Sequence, residues 1–286
     1  MSNQIHPTAI LEKNVVLGSG NTIGPNAILE DGVKIGNGNT LLQGVTLCSG
    51  TTIGDNNQIH MHAVIGHAPQ DLAYKNEPTF TQIGNNNTIR EFATIHRGTK
   101  AGTATHIGNS NYIMAYCHVA HNCVIHNDVI MVNQASLTGY VEVEDRAFLS
   151  GMTGFHQFTR IGRLAMVSAL SAANKDIPPY MIAGGRPAVV LGINVVGLRR
   201  AGISAEVREE IKKAYKLLYR TGLNTRQALE IMRKDPASAE VKHLIHFIEN
   251  SKRGIIDGAG EDTLKARKGT VLPGTGLSEE GTDSDF

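Results

Sequence analysis

The sequence has almost no net charge, and it contains no long apolar segment. Its 27 lysine and arginine residues nearly balance its 26 aspartate and glutamate residues, which leaves a formal net charge of +1. This balance gives no electrostatic basis for a nucleic-acid partner. No run of about 18 apolar residues occurs, so no transmembrane segment is predicted. The first residues show no basic segment followed by an apolar one, so we expect no signal peptide and a cytoplasmic location.

Cysteine is also scarce. The three cysteines, Cys48, Cys117 and Cys123, are too few for a disulfide framework. Cys117 and Cys123 occupy small, inward positions of the repeat described next, where cysteine usually packs as a small hydrophobic residue. We therefore expect neither disulfides nor a cysteine metal site.

A large apolar residue recurs every six positions from Ile5 to Val167. On this grid only Asp71, Glu77 and Ala101 are not large and apolar, and these three fall in two stretches that resemble inserted loops. We call the recurring apolar residues anchors. Apolar residues at this spacing do not form a helical stripe. The pattern instead predicts a β-solenoid in which three hexapeptides make one triangular coil and the anchors stack inside.

The spacing also predicts the division of the chain. Residues 1–185 are predicted to form the solenoid, with inserted loops at 66–82 and 97–106. Loops of such length in compact domains are usually functional or disordered. Residues 186–256 are predicted to form a helical domain, with helices at 204–220, 225–234 and 238–252. The polar, glycine-rich residues 257–286 are predicted to be a disordered tail.

Four histidines are expected to crowd one outer edge of the solenoid. If the second strands of successive coils carry the anchors Ile65, Ile95, Val119, Leu137 and Phe155, neighbouring coils lie about 4.8 Å apart. The residues two past each anchor then form one column on adjacent coils: His67, Arg97, His121, Gly139 and Gln157. The column one past the anchors adds His96 and His156, and the column one before them adds His118, so the four histidines that crowd the edge are His96, His118, His121 and His156, none of them pointing inward.

A single histidine is usually a structural residue, but four on adjacent coils are harder to explain in that way. A polar subunit interface and a metal site remain alternatives. The spacing of His118 and His121 does not by itself fix metal geometry, because a corner of the solenoid lies between them. We predict no bound metal.

Seven segments make the chain similar to a known family. They are QDLAY (70–74), ATIHRGT (93–99), HVAHN (118–122), GMTGFHQF (151–158), DIPPY (176–180), GINVVGLRRAG (192–202) and AYKLLYRTG (214–222). Hexapeptides alone indicate only a large superfamily, whereas these segments in this order resemble the acyltransferases that acylate UDP-N-acetylglucosamine at the start of lipid A biosynthesis. The resemblance implies a left-handed parallel β-helix with a small helical C-terminal domain, assembled as a homotrimer with sites between subunits.

The resemblance also implies the reaction and its residues. A 3-hydroxyacyl chain would pass from the phosphopantetheine thioester of acyl carrier protein to the glucosamine 3-position of UDP-N-acetylglucosamine, without a further cofactor. His121 would be the general base and Gly139 the oxyanion donor, as suits an imidazole and an unobstructed backbone N–H. The residues expected to bind substrate are Gln70, Asp71, His96, His118, His156, Gln157, Asn194 and Arg200. The residue expected to set acyl length is Ala169.

The chain departs from the family pattern at three positions near these residues. Asn122 stands where relatives commonly have aspartate, Tyr140 where they have histidine, and Ala73 where they have lysine, although Lys75 could supply that charge. Pro187 stands where some relatives place a histidine at the end of the acyl pocket. These departures leave the acceptor sugar open, since some relatives acylate a 3-amino sugar.

Two other function classes stay open at this stage. One is a different hexapeptide enzyme, such as an acetyl-CoA-dependent sugar acetyltransferase or a carbonic anhydrase. The other is a solenoid scaffold without catalytic activity. The loop at 66–82 and the histidine edge argue against a scaffold.

Overall fold

The computed structural model describes residues 2–234, 238–260 and 263. These residues form a parallel β-helix of three sheets, followed by helices. Most of the predicted tail, 257–286, lies outside the described residues. Within the described ranges, no helix is long and apolar enough to cross a membrane.

Each sheet collects one strand from every coil. The first sheet contains, in spatial order, Gln4–Ile5 (β1), Thr22–Ile23 (β4), Thr40–Leu41 (β7), Gln58–Ile59 (β10), Thr88–Ile89 (β13), Tyr112–Ile113 (β16), Ile130–Met131 (β19), Phe148–Leu149 (β22), Met166–Val167 (β25), Met181–Gly185 (β27) and Ala188–Ile193 (β28). The second contains Ile10–Leu11 (β2), Ile28–Leu29 (β5), Thr46–Leu47 (β8), Val64–His67 (β11), Thr94–His96 (β14), His118–Val119 (β17), Ser136–Leu137 (β20), Gly154–Phe155 (β23) and Ala172–Ala173 (β26). The third contains Val16–Leu17 (β3), Lys34–Ile35 (β6), Thr51–Ile53 (β9), Phe80–Ile83 (β12), Ala104–Ile107 (β15), Val124–Ile125 (β18), Glu142–Val143 (β21) and Arg160–Ile161 (β24).

The anchors stack inside the coils as the spacing predicts. Ile59, Ile65 and Ile89 are completely buried, and each pairs in register with the anchors of the coils above and below. The corners between strands take left-handed backbone conformations, often at asparagine, which tolerates a positive φ. The strands β27 and β28 form an antiparallel hairpin that spans the predicted domain boundary at residue 185.

Four helices follow in the described part of the chain: Val195–Arg200 (α1), Ala205–Tyr219 (α2), Thr225–Lys234 (α3) and Ala239–Glu249 (α4). The last three agree with the sequence prediction, and the side chains of Ser204 and Ser238 cap α2 and α4. The six-residue α1 was not predicted, because it is too short to show an apolar period. The guanidinium of Arg160 lies 4.1 Å from the centre of the Phe247 ring, which fixes α4 against the solenoid.

A ladder of buried asparagines runs along one corner of the solenoid, at Asn21, Asn39, Asn57, Asn87 and Asn111. The Oδ1 of Asn57 accepts from the backbone N–H of Asn87, at 2.9 Å, and the Asn57 Nδ2 donates to the Gly84 carbonyl at 2.9 Å. Each side chain in this way replaces backbone hydrogen bonds that the turn would otherwise leave unsatisfied.

We expect Asn57→Ala to lower the free energy of unfolding by roughly 3 kcal/mol, because it leaves buried donors and acceptors without partners. The matched control is Asn85→Ala. Asn85 accepts from the Asp55 N–H in the same way but is exposed, so water can replace it, and we expect a loss of about 1 kcal/mol or less. Denaturant titration of both variants measures the difference. Equal losses would show that the ladder is not the stabilising element.

Candidate active site

The predicted histidine edge lies along the second sheet. The strands β11, β14, β17, β20 and β23 are neighbours in the predicted order, and His118 pairs in register with Thr94 and Ser136. This arrangement brings His96, His118 and His121 together. The rings of His96 and His118 meet edge to face, with their centroids 4.8 Å apart.

One part of the predicted column is wrong. His67 pairs with His96 rather than with Arg97, because the strand bulges at Gly66. Gly66 takes a φ of +81°, and a Cβ there would lie 2.0 Å from the Thr51 Oγ1. Arg97 instead turns back, and its Nε donates to the Gly66 carbonyl at 2.6 Å. The strand β11 therefore continues through His67, and the inserted loop begins after His67 rather than at residue 66 as predicted.

His121 lies outside the coil core, as predicted, but its side chain is not open to solvent. The residue is only 4% exposed. Its Nδ1 lies 3.1 Å from the Asn122 Oδ1, and its Nε2 lies 3.4 Å from the Asp71 Oδ2. Asp71 reaches His121 from the first inserted loop, where its Oδ1 also accepts from the Ala73 N–H at 2.9 Å and shapes the turn. The Asp71 carboxylate and the Asn122 amide thus face opposite nitrogens of the His121 ring.

Gly139 lies directly against the His121 ring. A Cβ at this position would come within 2.3 Å of the ring Cε1 and 2.5 Å of Nε2, so only glycine fits. No protein acceptor for the Gly139 N–H occurs in the described ranges 2–234 and 238–260. The glycine therefore leaves a backbone donor available beside the imidazole.

Two further residues complete the surroundings of His121. The backbone N–H and the hydroxyl of Thr99 both lie within hydrogen-bonding distance of the Asn122 Oδ1, at 3.0 and 2.9 Å. The Tyr140 hydroxyl lies 3.1 Å from the Thr99 Oγ1, and the Tyr140 ring meets His121 edge to face. The role of Thr99 was missed by sequence reasoning, although the residue belongs to the segment ATIHRGT that carries the resemblance.

The two neighbouring histidines are held neutral. The pKa of His96 is lowered to about 4, first by burial and then by the neighbouring imidazoles of His118, His67 and His121. Burial also lowers the pKa of His118, with His121 as the second cause. The Nδ1 of His118 lies 2.7 Å from the Thr94 hydroxyl, whereas the buried Nδ1 of His96 has no hydrogen-bond partner among the residues that the structure describes. His96 and His118 therefore present polar, uncharged rings near pH 7.

The remaining predicted site residues lie farther along the same edge or elsewhere. Gln70, His156 and Gln157 are exposed, the first on the inserted loop and the others just after β23. Ala169 lies at an exposed turn between β25 and β26.

Asn194 and Arg200 are not brought to His121 within one chain. Asn194 caps α1, with its Oδ1 accepting from the Gly197 N–H and its Nδ2 donating to the Leu164 carbonyl. Arg200 lines a cavity of about 640 Å³ over the first sheet, together with Arg146 and Phe148. The predicted nucleotide residues thus lie on a different sheet from the histidines.

A metal site was an alternative explanation for the histidine edge. Within the part of the chain that the structure describes, no group of three or more histidine, cysteine, aspartate or glutamate side chains is placed to hold a metal ion. The close contacts of His121 are with an amide and a carboxylate, which suits proton transfer.

Comparison with known proteins agrees with this arrangement. Residues 32–67 and 104–139 match the bacterial transferase hexapeptide model, and residues 176–256 match the second domain of UDP N-acetylglucosamine O-acyltransferase. An acyl-[acyl-carrier-protein]–UDP-N-acetylglucosamine O-acyltransferase of Burkholderia mallei is 51% identical over 260 residues, which cover 89% of this chain and 99% of that protein. One of the same name from Synechocystis is 46% identical over 201 residues, covering 68% and 73%.

Comparison with solved structures shows that the similarity includes the fold. The UDP-N-acetylglucosamine acyltransferase of Francisella novicida superposes with a TM-score of 0.86 at 36% identity, covering 91% of this chain and 96% of that one. The acyltransferase of Campylobacter jejuni gives a TM-score of 0.85 at 38% identity, covering 90% and 100%. The predicted left-handed parallel β-helix with a helical C-terminal domain is therefore confirmed. The chain belongs to the family of acyl-[acyl-carrier-protein]–UDP-N-acetylglucosamine O-acyltransferases.

Proposed function

We propose that this protein transfers a 3-hydroxyacyl chain from acyl carrier protein to the 3-hydroxyl of the glucosamine in UDP-N-acetylglucosamine, the first step of lipid A biosynthesis. The observation that carries the proposal is the position of the His121 Nε2, which faces the Asp71 carboxylate and lies against the backbone of Gly139. Family membership supports it through the names of the relatives.

The first chemical step is removal of the acceptor proton. The Asn122 Oδ1 accepts from the Nδ1–H of His121, which leaves the lone pair on Nε2. As the sugar oxygen attacks the thioester carbonyl, its proton passes to Nε2. Asp71 then faces the imidazolium, and its carboxylate supplies the negative charge that Asn122 lacks.

The second step is collapse of the tetrahedral intermediate. The carbonyl oxygen gains a negative charge that the Gly139 N–H can stabilise, because this donor is fixed and has no protein acceptor in the described ranges. Expulsion of the phosphopantetheine thiolate restores a carbonyl, now as an ester, and the thiolate takes the proton from Nε2. A thioester has a good leaving group, so no covalent enzyme intermediate and no further cofactor are proposed.

Substrate binding is proposed to use the rest of the histidine edge. The exposed Gln70, His156 and Gln157, with Asp71, His118 and His96, would contact the sugar and acyl groups. Arg200 would contact the diphosphate, because its planar guanidinium can bind two oxygens at once. Asn194 lies beside it on the first sheet.

A homotrimer would join the two halves of this site. His121 follows the second sheet, whereas Asn194 and Arg200 lie over the first sheet of the same chain. Packing the first sheet of one protomer against the second sheet of its neighbour would create a cleft lined by both sets. The exposed Leu72, on the loop that carries Asp71, is positioned to reach across such a cleft.

We keep a related acceptor sugar as the second candidate, because Tyr140 contacts His121 edge to face at a position where the family resemblance leads us to expect histidine. The alternative reactions are transfer to a 3-amino UDP-sugar, which gives an amide, and transfer from acetyl-CoA. Initial rates with acyl carrier protein and coenzyme A thioesters, each tested with UDP-N-acetylglucosamine and its 3-amino analogue, discriminate among them. Turnover with only the amino sugar, or only with acetyl-CoA, would overturn the main proposal.

The assembly prediction concerns size and metal dependence. We expect the purified protein to sediment as a homotrimer, because the proposed site residues are divided between two surfaces of one chain. We also expect its activity to survive chelator treatment, because the proposed reaction uses no metal. A monomeric species with full activity, or stoichiometric zinc whose removal abolishes turnover, would contradict it.

The base prediction concerns His121. We expect His121→Ala to reduce kcat on the order of 10²–10⁴-fold, the usual loss for a general base. The trimer and the circular dichroism spectrum should persist, because the side chain lies outside the anchor core. Turnover near that of the unaltered enzyme would place the base elsewhere.

The acyl-length prediction concerns Ala169. We expect the unaltered enzyme to prefer long or intermediate 3-hydroxyacyl chains over short ones, and Ala169→Met to shift the optimum towards shorter chains. Each buried methylene contributes about 0.8 kcal/mol until it collides with the pocket end. Initial rates over a series of acyl-carrier-protein donors measure the shift. The same optimum in both forms would remove Ala169 from the role.

A further inference from the structure

Asn122 connects His121 to a buried residue of the second inserted loop. Its Oδ1 lies 3.1 Å from the His121 Nδ1, 3.0 Å from the Thr99 backbone nitrogen and 2.9 Å from the Thr99 hydroxyl. A backbone N–H can only donate, so the amide atom that faces it must be the oxygen. The two donors of Thr99, its backbone N–H and its hydroxyl, therefore together hold the Asn122 amide with its oxygen towards the imidazole.

The amide orientation in turn determines the imidazole tautomer. Because the Asn122 oxygen accepts, the His121 Nδ1 must carry the hydrogen, and Nε2 keeps its lone pair. If the amide turned by 180°, its NH₂ group would face Nδ1. The hydrogen would then move to Nε2, where it would block transfer of the acceptor proton.

Tyr140 orients the Thr99 hydroxyl. The Thr99 Oγ1 has one hydrogen, which points to the Asn122 oxygen, so its contact with Tyr140 at 3.1 Å requires the phenol to donate. Thr99 is 5% exposed, which leaves little room for water to replace its hydroxyl. A directed chain thus runs from Tyr140 through Thr99 and Asn122 to His121.

We propose that Thr99 is a positioning residue for His121, acting through the Asn122 amide to keep the Nε2 lone pair available, with Tyr140 holding Thr99 in its donating orientation. This inference rests on the proposed function, in which the His121 Nε2 takes the acceptor proton. It also gives a reason why this chain needs Thr99. A carboxylate accepts with either oxygen, whereas the amide of Asn122 must be turned the right way.

The test compares Thr99→Val with Thr99→Ser. Valine keeps the shape and the backbone N–H but removes the hydroxyl, and we expect kcat to fall about five- to twentyfold with little change in KM, as for the loss of one buried hydrogen bond. Serine restores the hydroxyl and should bring kcat back to within about threefold. A loss that serine does not restore would overturn the proposal.

Thr103→Val is the matched control. It lies in the same inserted loop, and its hydroxyl donates to the Lys100 carbonyl without touching Asn122. We expect kcat to change less than about twofold. A fall as large as that of Thr99→Val would show that the loop, rather than the hydrogen-bond chain, is responsible, and the proposal would be wrong.

A spectroscopic measurement separates positioning from chemistry. The ¹⁵N spectrum of the histidine-labelled full chain, with the His121 signals assigned by their loss in His121→Ala, reports which ring nitrogen carries hydrogen in the neutral imidazole. We expect Nδ1–H in the unaltered protein and an added fraction of Nε2–H in Thr99→Val, because only the backbone N–H then holds the amide while the Asp71 carboxylate, 3.4 Å from Nε2, favours a hydrogen on that nitrogen. An unchanged tautomer in Thr99→Val would overturn the inference. A shifted tautomer with unchanged kcat would support it while removing His121 from the proposed function.

Asn122→Asp supplies a final comparison. With a carboxylate at this position the tautomer no longer depends on amide orientation, so Thr99→Val should cost less than about threefold in that background. Tyr140→Phe keeps the ring against His121 and should lower kcat by about two- to fivefold in the Asn122 protein. Equal effects of Thr99→Val in both backgrounds would contradict the proposed route through the amide.

Discussion

The stacking of each coil on the next, in register, is the constraint on which the rest of the structure depends. Backbone hydrogen bonds run from every strand to the same strand of the next coil, as from the Ala120 N–H to the Leu137 carbonyl at 3.0 Å. A residue type that occurs at the same position of successive coils therefore has the same surroundings in each coil. Apolar residues accumulate into a continuous core, asparagines into a ladder, and polar residues beside the second sheet into an edge that can hold a reaction centre.

The site arises where this regularity is interrupted. The two inserted loops leave the solenoid at consecutive coils and return to the third sheet as β12 and β15, which pair with each other in register. The first loop brings Asp71 to one nitrogen of His121. The second brings Thr99 to the amide that contacts the other nitrogen. The solenoid thus supplies His121 and Gly139 at fixed positions, and the loops supply their chemical surroundings.

The sequence alone predicts the features that depend on regular spacing of residues along the chain. The anchors, the three sheets, the neighbouring order of β11, β14, β17, β20 and β23, and the last three helices all follow from spacing. The bulge at Gly66 does not, because it depends on a positive φ and on a contact with Thr51. The burial of His121 also could not be predicted, since the loop and the Tyr140 ring that cover it follow no repeat. The family resemblance pointed to Asp71 and Asn122, but only the structure shows that their side chains face opposite nitrogens of the His121 ring.

The asparagine ladder extends into the coils that carry the histidines, because His96 follows Asn87 and His118 follows Asn111. The Asn111 Oδ1 accepts from the Val129 N–H, and beyond it the equivalent positions are the buried, apolar Val129, Ala147 and Ala165. From Asn21 to Asn57, before the inserted loops, each coil presents the next with the same buried amide and the same backbone groups. This N-terminal part is consequently modular in length. Gain or loss of a whole coil there would preserve the asparagine and backbone hydrogen bonds across the joint, so the length of the scaffold can vary while the loops that carry Asp71 and Thr99 stay beside His121.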